Sequence, residues 1–256
     1  MMGNAIQGML FQPPEPTYQA DPNLIWLTTR RGQRIPAFFI DKRAPITILF
    51  SHGNAEDLGH ILHYFKSVCD PIRANIFAYE YTGYGCSSGS PSEDDIYADI
   101  EAGYLYLRDV VGVPWDRIVV FGRSMGSAAS IHLASLTPVR GLILQCPMLS
   151  VFRIVFNSRF TVPGDKLTNI DRIKATEAPI LVIHGTEDEI VPFWHGQELQ
   201  ALCNDQSIQP LWVKGGSHNN IESTDKSAFL KRISDFLHEL ENSTPNSSLR
   251  NQIIRI

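Results

Sequence analysis

The chain has 256 residues, 43% of them hydrophobic and 19% charged, as in an ordinary globular protein large enough to bury one substantial core. A formal net charge of -5 argues against a general binder of phosphate backbones, so no nucleic-acid partner is expected. No apolar run approaches the roughly 18 residues of a membrane span, and Gln7, Gln12 and the prolines interrupt any secretory apolar core near the start.

Residues 1–23, with Pro13, Pro14, Pro16 and Pro22, read as an arm without regular structure, carrying a small apolar knot at Met9, Leu10 and Phe11. Leu24–Thr29 and Ile35–Ile40, split by Arg31-Gly32-Gln33, predict a β-hairpin. Ile46–Phe50 is a short continuous apolar run, the pattern of a strand buried on both faces. A helix over Leu58–Val68 and a strand over Asn75–Tyr81 follow. Ser92 is a predicted cap for a helix from about Glu93 to Val111, whose first turn is acidic. Ile118–Phe121 predicts a strand and Met125–Leu136 a helix of small residues. Strands are expected at Gly141–Gln145, Ile180–His184 and Gln209–Val213. Helices at about Trp194–Leu202 and Glu222–Leu240 complete the series, and residues 242–256 read as a loose tail.

Strands alternating with helices imply a mostly parallel twisted sheet with helices on both faces. The α/β body is expected to span residues 24–241. Ligands in such sheets bind at the carboxyl ends of the strands. Gly122-Arg123-Ser124-Met125-Gly126 sits at such an end, directly after a strand and at the start of a helix, as a G-x-S-x-G nucleophile turn requires. A serine hydroxyl needs a base, and this fold orders the partners Ser, then Asp or Glu, then His. After the strand Ile180–His184, the loop Gly185-Thr186-Glu187-Asp188-Glu189 offers three carboxylates. Asp188 is favoured because a turn after Gly185 aims it back over the sheet. His218, on Lys214-Gly215-Gly216-Ser217-His218, is the candidate base. The loop Ser51-His52-Gly53-Asn54 is placed to supply an oxyanion donor, which assigns the hole to the backbone N–H groups of Asn54 and Met125.

Residues from about 147 to 163 occupy the place of a cap. Leu149, Phe152, Val155 and Phe156 are the candidate substrate-binding residues there, with Arg153 and Arg159 among them. His52 and His184, each before a glycine at a strand end, read as structural. No cluster has metal-ligand character, so neither a metal nor another cofactor is expected. Cys69, Cys86, Cys146 and Cys203 are scattered and read as reduced thiols.

Several stretches resemble the depalmitoylases named α/β-hydrolase domain-containing protein 17. They are Phe11-Gln12-Pro13-Pro14-Glu15-Pro16-Thr17-Tyr18, Ser51 to Gly59, Tyr79 to Gly89, Gly122 to Ser127 and His184 to Glu189. The resemblance runs from about residue 11 to 240. It implies the α/β-hydrolase fold, a triad at Ser124, Asp188 and His218, and S-palmitoylated protein cysteines at cytoplasmic membranes as substrate. Animal members carry a palmitoylated N-terminal cysteine cluster, whereas residues 1–20 here hold no cysteine. That leaves Ile6, Met9, Leu10 and Phe11 for peripheral membrane contact. The expected activity is therefore hydrolysis of an S-acylated protein. The alternatives are a lipase or carboxylesterase acting on an acyl-ester lipid or small ester, and a catalytically silent interaction module.

Overall fold

The computed structural model describes residues 10–68, 71–160, 163–203 and 208–245. Eight strands form one sheet: β1 Ile25–Thr28, β2 Arg34–Ile40, β3 Thr47–Ser51, β4 Asn75–Tyr79, β5 Ile118–Arg123, β6 Gly141–Gln145, β7 Ile180–Gly185 and β8 Leu211–Val213. Their order is β1-β2-β4-β3-β5-β6-β7-β8. The β1–β2 hairpin runs antiparallel, with Thr28 opposite Arg34, and β2 pairs antiparallel with β4. All other neighbours are parallel. This is the expected α/β-hydrolase architecture.

The central strands are buried on both faces because helices cover both. Period-two alternation divides their side chains between two cores. Leu49, Val120, Leu142, Leu144 and Val182 face one side, with Ile96, Ile100 and Tyr104 of α2 (Glu93–Leu105) and Ala128, Ile131 and Leu133 of α3 (Gly126–Leu136). Ile48, Phe50, Val119, Phe121, Ile143 and Ile183 face the other, with Leu58, Ile61 and Phe65 of α1 (Leu58–Val68). The last helix adds Phe229, Ile233, Phe236 and Leu240 to that side at helical spacing.

Many boundaries shift by a residue or two from the sequence reading, and four of the differences have a clear local cause. The helix after Ser92 is capped as expected, the serine side chain accepting the Asp95 N–H, but its end, Tyr106–Val111, widens into a π-helical turn closed by Gly112 at φ 80°. β4 stops at Tyr79 because the chain then turns, with Tyr84 N–H on the Tyr81 carbonyl. β8 begins only at Leu211; Pro210 before it has no N–H to give the ladder. The predicted Glu222–Leu240 helix is two. Ile221–Thr224 is a single turn, and Asp225, with φ -145°, breaks it and caps Lys226–Asn242 through the Ala228 N–H.

Along the sheet, β3 leads one way to β4, and the chain then returns past it to β5. The carboxyl ends of β3 and β5 therefore flank the point where the winding reverses, the crevice in which this class of sheet binds ligands. The arm is irregular over residues 11–23 but is tied down. Phe11 is buried in the first core, and the Thr17 N–H and hydroxyl donate to Asp57 at 2.5 and 2.6 Å. Met9 of the apolar knot and residues 246–256 of the tail lie outside the described residues. The tail's first residues are held by Arg140, which donates to the Ser243 carbonyl and hydroxyl at 2.6 and 2.8 Å.

Candidate active site

Ser124 stands at the β5–α3 turn with φ 53°, a conformation that costs a non-glycine residue of order 1–3 kcal/mol. The turn survives because its flanks admit no side chain. A Cβ on Gly122 would overlap the Gly126 carbonyl and the Ser130 hydroxyl, and one on Gly126 would overlap the Ser51 carbonyl. The Ser124 N–H is fixed on the Gln145 carbonyl at 2.8 Å, so the strained residue is anchored to the neighbouring strand.

His218 bridges the other two residues. Its Nε2 lies 2.9 Å from Ser124 Oγ, and its Nδ1 lies 2.8 and 3.1 Å from the Asp188 carboxylate oxygens. With a proton on Nδ1 facing the carboxylate, Nε2 is free to accept from the serine hydroxyl. Asp188 is the one carboxylate of its loop that turns inward. Its side chain is fully buried, while Glu187 and Glu189 are exposed. Burial alone would raise the Asp188 carboxyl, but hydrogen bonds from His184 and His218, and from the Val191 N–H at 2.8 Å, hold it well below the usual carboxylate range. Asp188 is thus ionised at neutral pH and cradled.

The sequence reading took His184 as structural. Its Nε2 lies 3.2 Å from Asp188 Oδ2 and 2.9 Å from the Val191 carbonyl, so the acid carries a second histidine besides His218. Only the strand-end position of His184 hinted at this. The other strand-end histidine, His52, pairs with buried Glu80 at 2.8 Å. Glu80 also accepts from the Leu58 N–H and the Tyr18 hydroxyl.

A cavity of about 510 Å³ opens beside Ser124. Gln12, Asn54, Glu56, Arg123, Ile190, His218, Asn219 and Glu222 are among its walls. Asn54 thus shares this cavity with Ser124. Met125 follows Ser124 directly, at the N-terminus of α3. Arg123, the variable residue of the serine motif, pairs with Glu56 and, at 3.5 Å, with Glu222. Burial lowers its guanidinium and Glu222 pushes it back up. This charged wall was not foreseen, since it joins residues up to 166 positions apart (Glu56 and Glu222).

The four cap candidates do not line that cavity. Leu149 is a core residue, its N–H donated to His195 Nδ1 at 3.1 Å, and burial pushes His195 down to about 4 so that it stays a neutral acceptor. Phe152 packs edge-on against Phe156 at 5.6 Å. Val155 and Phe156 are 57% and 61% exposed, and Phe160, beyond the short helix Val151–Val155, is 82% exposed. Arg153 is not a surface cation; it is buried and paired with Asp165 at 3.2 Å. Arg159 lies over the Trp194 ring at 5.1 Å. Cys86, Cys146 and Cys203 are free thiols, and Cys69 lies outside the described residues. No described helix is long and apolar enough to cross a membrane.

Comparison with known proteins agrees with this architecture. Human α/β-hydrolase domain-containing protein 17B is 39% identical over 214 residues, covering 82% of this chain and 73% of the relative. The mouse 17C protein is 41% identical over 220 residues, covering 84% and 68%. The chain belongs to the α/β-hydrolase domain-containing protein 17 family. Residues 42–162 also match the family model described as serine aminopeptidase, S33. Among solved structures, the Pyrococcus furiosus esterase Pf2001 superposes with a TM-score of 0.74 at 20% identity, over 89% of this chain and 98% of the esterase. A ferulic-acid-bound esterase, Est1E of Butyrivibrio proteoclasticus, superposes with a TM-score of 0.66 at 17% identity, over 86% of this chain and all of that one. At these identities the structural likeness establishes the fold alone; membership of the family makes the protein an α/β hydrolase.

Proposed function

We propose that this family member is a serine hydrolase of acyl thioesters or esters, acting on S-palmitoylated protein cysteines. The observation that carries the reading is the unbroken hydrogen-bonded line from Ser124 Oγ through His218 to a buried, ionised Asp188. Ser124 attacks the acyl carbonyl while His218 Nε2 takes its proton. Asp188 holds the imidazole in the correct tautomer and stabilises the imidazolium. The tetrahedral oxyanion forms against the N–H groups of Asn54 and Met125, where each donor is worth about 10²–10³ in rate. Collapse breaks the carbonyl carbon–leaving-group bond, and the departing thiol or alcohol takes the proton from His218, leaving the imidazole neutral. His218 then activates a water, which attacks the acyl-enzyme and returns Ser124.

A thiol, with a pKa near 8.5, leaves as its thiolate far more readily than an alkoxide, so a thioester leans less on protonation by His218. The polar cavity walls support a peptide or other polar leaving group beside Ser124. The exposed Val155, Phe156 and Phe160 support contact with an acyl chain or a bilayer surface. A small polar ester, the substrate of a carboxylesterase, also suits the charged wall formed by Glu56, Arg123 and Glu222.

The deciding experiment compares a C16-acyl thioester peptide with short and long p-nitrophenyl esters, for wild type and Ser124→Ala. Ser124-dependent cleavage that favours the long thioester is expected. Preference for short oxygen esters would replace the depalmitoylase reading with a general esterase. Equal rates for wild type and mutant, with no fluorophosphonate labelling, would mean a silent module.

A further inference from the structure

The line from Ser124 to Asp188 leaves unused a dense set of contacts across the cavity, where the N-terminal arm meets the loop after β3. The Asn54 carboxamide is held on both its atoms. Its Oδ1 accepts the Gln12 backbone N–H at 2.9 Å and the Tyr84 hydroxyl at 2.6 Å, and its Nδ2 donates to the Leu10 carbonyl at 2.9 Å. The Gln12 N–H also lies 3.1 Å from the Tyr84 oxygen, closing a small ring of hydrogen bonds.

Everything around that ring is itself tied down. Phe11 is buried between the two arm residues that make the contacts, and Tyr84 is fully buried, edge-on to Tyr81. The preceding residues of the loop are fixed too. The Tyr81 hydroxyl donates to the His52 carbonyl at 2.8 Å, and the Gly53 N–H donates to Glu56 at 2.7 Å. Burial raises the Tyr84 phenol above its ordinary value, so it remains a donor across the working pH range.

We propose that Leu10–Gln12 and Tyr84 form a positioning clamp on the oxyanion loop, holding the Asn54 backbone N–H where the tetrahedral intermediate needs it. The proposal rests on the serine-hydrolase reading. Its physical basis is that an oxyanion donor accelerates the reaction only if it is oriented beforehand, and a displacement of about 1 Å can cost about 10²-fold. A Gly-Asn loop following a strand has no such rigidity of its own. The arm, which precedes the first strand, thereby becomes part of the active site. Gln12 is both a wall of the cavity and half of the clamp.

Two variants each remove one side of the clamp. Tyr84→Phe deletes the hydroxyl, and Gln12→Pro deletes the N–H while leaving the chain length unchanged. Gln12→Ala, which keeps the N–H, is the comparator. Each is assayed for kcat and KM on p-nitrophenyl butyrate, for binding of an alkyl boronic acid that forms a tetrahedral adduct on the serine, and for its melting temperature. In Tyr84→Phe and Gln12→Pro, kcat falls at least tenfold, KM stays within threefold, and boronate affinity falls in parallel with kcat. The loss in Gln12→Pro exceeds that in Gln12→Ala at least threefold. A general structural role would lower the melting temperature and leave boronate affinity of the folded protein intact. Folded variants that keep kcat and boronate affinity within twofold of wild type would overturn the clamp.

Hydrogen exchange on the unmodified protein gives a second test, independent of folding in the variants. Segments 10–14 and 51–57 gain protection together when the boronate binds. Protection confined to 51–57 would also overturn the proposal. A wild type with no Ser124-dependent fluorophosphonate labelling would overturn the hydrolase reading itself, a result distinct from failure of the clamp alone.

Discussion

The serine turn, Gly122–Gly126, and the cap, residues 147–160, are both placed by the ends of neighbouring strands, yet they are built in opposite ways. In the turn every approach is filled. Its glycines face carbonyl oxygens and its serine is strained, bonded to the next strand and engaged by His218. In the cap, Leu149 and Arg153 are buried and partnered, whereas Val155, Phe156 and Phe160 project into solvent. The difference teaches where geometry must be exact to within tenths of an ångström and where only an apolar character is needed. Transition-state stabilisation demands the first. Under the proposed function, contact with a fluid acyl chain or lipid surface would ask for the second.

Substitutions at the two regions sharpen that contrast. The largest effect is expected for Asp188→Asn, which presents a donor to His218 Nδ1 and inverts the tautomer. kcat/KM should fall by about 10³–10⁴ with little change in KM, measured on any ester that the wild type cleaves. A loss below tenfold would mean that His218 does not depend on Asp188. Next is Gly126→Ala, whose added methyl overlaps the Ser51 carbonyl. Urea unfolding should show a loss of about 1–3 kcal/mol, and Ser124 should label more slowly in the protein that remains folded.

A third expectation concerns pH. Asp99, buried beneath the Tyr84 loop, accepts from the Thr82 N–H and hydroxyl, but burial dominates and raises its carboxyl to about 8. Between its ordinary value near 4 and about 8, the folded state holds a proton that the unfolded chain releases, so this group makes stability fall as pH rises through that window. Asp99→Asn removes the charge and keeps both contacts, its Oδ1 accepting the Thr82 N–H and its Nδ2 donating to the Thr82 hydroxyl oxygen in place of the accepting carboxylate oxygen. Its unfolding midpoint should match or exceed that of wild type at pH 8 and differ little from it at pH 5. A wild-type midpoint that rises between pH 5 and 8 relative to the variant would refute the sign.

The smallest effect on stability is expected at the cap. Phe156→Ser with Phe160→Ser removes exposed rings only, so stability should move by no more than about 0.5 kcal/mol. Turnover of a C16 substrate on vesicles should nevertheless drop severalfold while that of p-nitrophenyl butyrate is retained. Equal loss on both substrates would place these rings in the catalytic pocket after all.

The sequence by itself was enough for the alternating strands and helices, for the strand-turn-helix around Ser124 and for the order Ser, Asp, His along the chain. Those signals are local, because a buried strand, a small-residue helix and a tight turn each require their residue types within a few positions. It also singled out Asp188 over Glu187 and Glu189, because only one residue of a turn can face back over the sheet.

Other features were decided only by the tertiary structure. The break at Asp225 competes with a continuous apolar period, and the π-helical turn at Tyr106–Val111 leaves no compositional mark. His184 gained its contact with Asp188 from the curvature of one loop. The ring joining Leu10, Gln12, Asn54 and Tyr84 unites three separate stretches, one of them in an arm that showed no periodicity. The charged wall of Glu56, Arg123 and Glu222 likewise required a loop, a strand end and a helical turn far apart in sequence to meet. Side-chain chemistry over short spacings is written in the order of residues. Which distant donors meet which acceptors depends on how the sheet twists and on how the loops at its carboxyl edge pack together.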